Sequence, residues 1–441
     1  MSTVDPRPGA RRSGRSGRVF DRVLDALSEI DAGKPADLAV RHVESRARDL
    51  GARERRELRE MVYGLLRARR RVRDVLARAA SAERKLLEEL EPPLRLRLEV
   101  LAYRAETDRS VAALDALDPK VHRRFAKILG RIAADRLPKK RTGDPDAIGY
   151  NLPDWLWTKL VDGLGADAAH GVAAALASRA PVTVRVRGGD VEAARRDLAA
   201  EGIETRPTSS SPVGLHLPAG TDLRASALFK AGRIELQDEG SQLLGLAAAI
   251  PGRGGAVLDA CAGAGGKTLQ LVETADRVVA LEPDEAKRKE LRRRLERAGA
   301  SAQIEASELE AYAEGAEARF DVVLIDAPCT GTGTLRRHPE IALRLAPADL
   351  EREVARQKRL VAAGLRCLKP GGRLVYATCS VLREENEAIV EYARVEGAGV
   401  RPAPVFTGAL AERLGRASAL RIGPDAADGP DGFFVAALTL A

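Results

Sequence analysis

The chain of 441 residues is 45% apolar and 31% charged, a balance that predicts a soluble globular protein of two or three domains. No apolar run approaches the ~20 residues needed to cross a bilayer, and the Arg-rich start lacks the hydrophobic segment of a secretory signal. Four cysteines without CxxC spacing and five scattered histidines support neither a metal site nor a disulfide framework, so a cytoplasmic protein with reduced thiols is expected.

Residues 1–17, rich in Pro, Gly, Ser and Arg, read as a disordered basic tail. From 18 to 140 the apolar positions keep helical spacing: Phe20, Val23, Leu24, Leu27 and Ile30, then Leu58, Met61, Val62, Leu65 and Leu66, then Val121, Phe125, Ile128 and Ile132. An all-α domain follows. The net charge of +8 is concentrated there, because residues 1–141 hold 35 lysines and arginines against 22 acids, a net +13. Arg67, Arg69, Arg70, Arg71 and Arg73 form the densest cluster, read either as a phosphate-binding patch or as a solvated helix face. Aromatic residues, at 3%, are too few to build base-stacking platforms.

The stretch 138–153 reads as a linker. Over 150–231 a helix starting at Trp155, a strand 182–187, a helix 191–202 and a strand 213–217 predict a small α+β module. Over 232–441 strands and helices alternate, with strands 256–259, 277–282, near Ile304, 322–326, 373–378 and 433–440 and helices such as 284–298 and 347–368. Such alternation predicts an α/β, doubly wound, Rossmann-like sheet.

Three ligands compete for the loop Cys261, Ala262, Gly263, Ala264, Gly265, Gly266, Lys267. A P-loop needs glycine where Cys261 stands, and GxGxxG is met only by its first pair, Gly263 and Gly265. S-adenosylmethionine fits better: Asp259 ends the strand, glycines admit the methionyl portion, and Glu282, 19 residues after Gly263, can hold both ribose hydroxyls. A dinucleotide remains the alternative. Lys267 either pairs with the cofactor carboxylate or faces water.

Cys329 and Cys379 each follow an apolar strand, so both are expected at the carboxyl edge of one sheet beside the glycine loop. A pyrimidine C5 carbon is too weak a nucleophile to attack a sulfonium methyl, but a thiolate added at C6 makes it enamine-like. Asp326, three residues before Cys329, can share a proton at N3 and favour that electron shift. Packing alone is the competing reading for either cysteine by itself. Arg336, Arg337 and His338 either face water or hold a phosphate beside the base.

VLDACAGAGGKT, DVVLIDAPCTGTGTLRRHPEI, LKPGGRLVYATCSVLREEN and DGFFVAAL resemble the Sun family of RNA cytosine-5 methyltransferases. The RRHPEI run and the helical domain are most similar to the branch acting on bacterial small-subunit ribosomal RNA, whose amino-terminal domain is similar to the antitermination factor NusB. The resemblance is specific over about 232–441, looser over 150–231 and architectural before that. It implies a NusB-like RNA-binding domain over 18–140, S-adenosylmethionine as cofactor, and ribosomal RNA, most of all 16S, as partner. It further implies that Cys379 attacks C6, that Cys329 assists product release, and that Glu308 lies near the adenine, with Asp326 bordering cofactor and base. This sequence departs from the family at Ala264, where proline is usual, at Glu308, where aspartate is usual, and at Arg187, where asparagine is common. The alternatives are the same reaction on transfer or large-subunit RNA, and a non-catalytic RNA-binding assembly factor, for which a thiol pair would have no use.

Overall fold

The computed structural model describes residues 15–441 except 109–113, 115, 116, 140, 251–253, 425 and 427, so the expected tail over 1–14 lies outside the described residues. Residues 15–17, assigned by sequence to that tail, belong to the helix Arg15–Asp31. The chain divides into two compact units, one of residues 1–158 with 338–344, the other of 159–337 with 345–441.

The first unit is helical, as its periodicity predicts. Leu58, Met61, Val62, Leu65 and Leu66 recur at three- and four-residue steps along the helix Ala52–Ala79, and all are buried against Phe20, Leu27 and Ile30 of Arg15–Asp31. Each large side chain so buried contributes about 1.5–3 kcal/mol. Asp118 caps the helix Pro119–Arg124 by accepting the Val121 N–H at 3.2 Å, with proline in the first turn where no donor is needed.

The segment 338–344 completes this unit. Glu340 accepts the Ala36 N–H at 2.9 Å, and Leu343 packs on the helical core. Arg344 donates to the carbonyls of Ile30, Gly33 and Lys34, which end or follow the first helix and lack intrahelical partners.

Two sequence expectations change here. The arginine cluster is not a free phosphate patch, because Arg69 is buried between Asp31 and Glu99, while Arg70 pairs with Asp154, Arg71 with Glu106 and Arg73 with Glu99. Arg67 lies over the Tyr63 ring. The stretch 138–153 is also more ordered than a linker: Asp144 caps the helix Pro145–Gly149, and Asn151, at φ +61°, bonds the Leu66 carbonyl and the Arg70 N–H.

The second unit holds two sheets. Strands β1 (Val182–Val186), β2 (Arg206–Pro207), β3 (Gly214–Leu217) and β4 (Ile234–Leu236) form an antiparallel sheet in the order β2-β3-β1-β4. The helix Val191–Ala200 covers it through Ala194 and Leu198, which pack on Val184, Val186 and Leu215.

The larger sheet contains β5 (Ala256–Asp259), β6 (Arg277–Leu281), β7 (Gln303–Glu305), β8 (Phe320–Asp326), β9 (Leu368–Thr378), β10 (Val400–Ala403), β11 (Ala419–Ile422) and β12 (Phe433–Leu440). Its order is β10-β12-β9-β8-β5-β6-β7, with β11 pairing β12. β7, β6, β5, β8 and β9 are parallel, and β12 joins antiparallel. From β5 the chain crosses first to β6 on one side and later to β8 on the other, so a crevice opens beyond the carboxyl ends of β5 and β8. The expected doubly wound sheet is present.

Candidate active site

Five strand ends deliver the site. β5 ends in Asp259 and the glycine loop, β6 leads to Glu282, β7 leads toward Glu308, β8 ends in Asp326 before Cys329, and β9 is followed directly by Cys379.

The glycine loop is pinned at both flanks, since the Ala260 N–H donates to the Leu324 carbonyl at 2.9 Å and the Ala262 N–H to the Leu281 carbonyl at 3.0 Å. Gly265 sits at φ +86°, and a Cβ there would come within 2.2 Å of the Leu291 side chain, so only glycine lets the loop close on that helix. Gly263, at φ +56°, has open space where a Cβ would project. The Ala264 carbonyl accepts Arg294 at 3.0 Å, a side-chain tie where the family usually has proline. Asp259 is fully buried and accepts the Thr268 hydroxyl at 2.7 Å; burial pushes its carboxyl up to about 6.

Glu282 is buried, and its Oε1 accepts the Asp284 N–H at 2.8 Å, which fixes the side chain. Its Oε2 makes no hydrogen bond to any described residue. Glu308 is exposed at the start of the helix Leu309–Ala313, with Arg356 3.3 Å from its carboxylate. Lys267, for which the sequence offers a cofactor carboxylate or water, donates to Asp326 Oδ2 at 2.6 Å and to Ser241 Oγ at 3.0 Å. The lysine therefore orients the carboxylate proposed to meet the base.

Cys329 Sγ and Cys379 Sγ lie 3.4 Å apart. The Cys329 thiol is pushed well above the usual range, first by its hydrogen bond to Cys379 and then by burial. Cys261 is also pushed up, by burial and then by Asp326 and Asp259. Cys367 is buried in the core of the sheet, away from this edge, and its thiol is pushed up to about 11 by burial.

Sequence reasoning missed the polar lattice that holds the two thiol loops together. The Gly333 N–H donates to the Cys379 carbonyl at 2.9 Å, the Thr332 and Ser380 hydroxyls meet at 3.0 Å, and the Asn386 amide donates to the Ser380 carbonyl at 2.9 Å. Glu385 accepts the Thr330 N–H at 2.8 Å. A Cβ on Gly333 would stand 1.9 Å from the Gly432 carbonyl oxygen, so the loop and the turn before β12 meet backbone to backbone. The run of small hydroxyl residues around each cysteine is the one signal the sequence offers for this lattice.

The triplet at 336–338 does not present two arginines to a phosphate. Arg336 is wholly buried and pairs with Asp431, and Arg337 pairs with Asp431 and Asp238. Removing one partner of such a buried pair leaves an uncompensated charge, which costs about 3–5 kcal/mol.

The profile of the 16S rRNA methyltransferase RsmB/F family matches residues 248–439, and that of the RsmF/B-like ferredoxin-like domain matches 152–224, the span that carries β1 to β3. A Mycobacterium tuberculosis protein whose name assigns it only to the methyltransferases is 32% identical, over 89% of this chain and 90% of its own. The chain belongs to the RsmB/F methyltransferase family. The ribosomal RNA small subunit methyltransferase B of Xylella fastidiosa is 35% identical over 60% of this chain. The match spans 62% of that relative's length. The crystal structure of PH0851 has the same fold, with a TM-score of 0.76, 24% identity and coverage of 96% of this chain and 98% of its own. That likeness in fold extends over nearly the whole chain. Among the described residues no helix is long and apolar enough to cross a membrane.

Proposed function

We propose that this chain uses S-adenosylmethionine to methylate cytosine at C5 in RNA, most of all 16S ribosomal RNA, through a covalent bond from Cys379 to C6. The observation that carries the reading is the thiol pair, 3.4 Å from sulfur to sulfur, at the same sheet edge as Asp326 and the glycine loop. The family match and the similarity to the Xylella fastidiosa enzyme support RNA as the substrate class.

The residues present suit the cofactor. The open face of Gly263 admits a close approach to the loop backbone, and the buried Glu282 keeps a carboxylate oxygen without a hydrogen bond to any described residue, an acceptor of the kind that two adjacent hydroxyls require. Bound there, the cofactor supplies the electrophilic methyl that the activated C5 carbon takes up. The chain does the rest. Cys379 adds its sulfur to C6, Asp326, steadied by Lys267, shares a proton at N3, and C5 becomes nucleophilic. A solvent-borne base then takes the C5 proton, the electron pair of that C–H bond re-forms the C5–C6 double bond, and the C6–S bond breaks with its electrons going to Cys379, whose departing thiolate the Cys329 thiol hydrogen-bonds.

Replacement Glu282→Ala removes charge-assisted hydrogen bonds worth about 1.5–3 kcal/mol each, so adenosylhomocysteine should bind at least tenfold more weakly by calorimetry. An unchanged dissociation constant would return the loop to the dinucleotide reading. The reaction itself is tested by bisulfite sequencing of ribosomal RNA from cells with and without the gene. One cytosine in 16S RNA should lose its protection when the gene is deleted. Loss in transfer or large-subunit RNA instead would move the substrate, and no loss in any RNA would remove the activity.

A further inference from the structure

Glu385 lies in the short turn Arg383–Glu385 beyond Cys379 and is completely buried. Its carboxylate accepts the Thr330 N–H at 2.8 Å, the Thr330 hydroxyl at 2.5 Å, the Gln357 amide at 3.0 Å and the Ser380 hydroxyl. Its own carbonyl accepts the Tyr376 hydroxyl at 2.6 Å. All these donors are neutral. Among the described residues no lysine, arginine or histidine lies within ion-pair range of the carboxylate, and burial pushes Glu385 above the ordinary carboxylate range. Burying a carboxylate without a cation is unfavourable, and neutral donors offset that only in part. What it adds over an amide of the same shape is its charge.

The position of that charge is specific. The Thr330 N–H belongs to the peptide unit that joins Cys329 to Thr330, so Glu385 grips the thiol loop one residue from the sulfur. The Cys329 thiol is raised first by its hydrogen bond to Cys379 and by burial, and the Glu385 charge adds to them. Among the described residues Tyr376 of β9 is a further titratable group that interacts with both Cys329 and Glu385, while the helix Pro347–Cys367 offers the neutral Gln357.

We propose that Glu385 is a positioning residue that decides which cysteine holds the proton, clamping the Cys329 loop and keeping Cys329 as the thiol so that Cys379 is the sulfur that attacks. The inference rests on the covalent mechanism proposed above and names the group that orders its two thiols.

The test is the pH dependence of iodoacetamide alkylation at each cysteine of the full chain, followed by peptide mass spectrometry without RNA or cofactor. In the unmutated protein Cys329 should react more slowly than Cys379 at pH 8, and the reverse order overturns the proposal with no variant needed. Glu385→Gln keeps the shape and removes the charge, so the Cys329 profile should move to lower pH and its reaction at pH 8 should accelerate about tenfold. Glu385→Asp keeps the charge and should leave the profile high. An unmoved profile in Glu385→Gln, or equal acceleration in both variants, would make Glu385 a structural pin. Failure of the methylation reading appears separately, as unchanged bisulfite patterns.

Discussion

Cys379→Ala should abolish both turnover and the covalent protein–RNA complex, whereas Cys329→Ala should still attack C6, accept the methyl group and stall. The difference follows from the 3.4 Å contact, which puts the Cys329 thiol where it can donate to the departing Cys379 thiolate. With that donor gone, the departing Cys379 thiolate loses a hydrogen bond to a charged group worth about 1.5–3 kcal/mol, which slows elimination by roughly 10- to 150-fold. The complex should therefore accumulate in Cys329→Ala, survive denaturing electrophoresis and depend on S-adenosylmethionine. It should be absent from the double variant. Accumulation in Cys379→Ala and not in Cys329→Ala would exchange the two roles. Unchanged methylation in both variants would make the cysteines packing residues.

Asp326→Ala should lower single-turnover methylation by about 10²- to 10⁴-fold, the range over which a positioned proton-sharing group contributes. Lys267 loses its 2.6 Å partner in this variant but keeps Ser241, so the glycine loop should stay in place and adenosylhomocysteine affinity should change far less than the rate. A rate within tenfold of the unmutated enzyme would remove Asp326 from the base. A matched fall in rate and cofactor affinity would make it a cofactor ligand alone.

The strands that position the site are legible in the sequence because β5, β6, β8, β12 and the second half of β9 carry apolar runs, the pattern of strands buried on both faces. β10, which contains Pro402, β11, which contains Arg421, and the three-residue β4 escaped notice, because short strands with proline or charge do not stand out from turns. The arginines misled for a different reason. Composition shows Arg69 and Arg70 as free positive charge, but their partners Glu99 and Asp154 stand 30 and 84 residues further along, and only the fold brings them together. Arg336 is the same case, with Asp431 95 residues away. Glu385 was hidden by its neighbours, since Arg-Glu-Glu-Asn reads as a solvated turn and no local pattern marks one of its acids as buried.

The excursion of residues 338–344 into the helical unit has a consequence for how the chain is made. The unit's first stretch ends at residue 158, yet the carboxylate that receives the Ala36 N–H and the guanidinium that closes the end of the first helix are encoded almost two hundred codons later. At translation rates of about 5–20 residues per second, the helices wait roughly 10–40 s on the ribosome before their last piece emerges. During that interval the amino terminus of the second helix and the carbonyls after Ile30 are open to other partners. Ribosome-stalled chains ending before and after residue 344 would then differ in how readily a protease cuts between the first two helices.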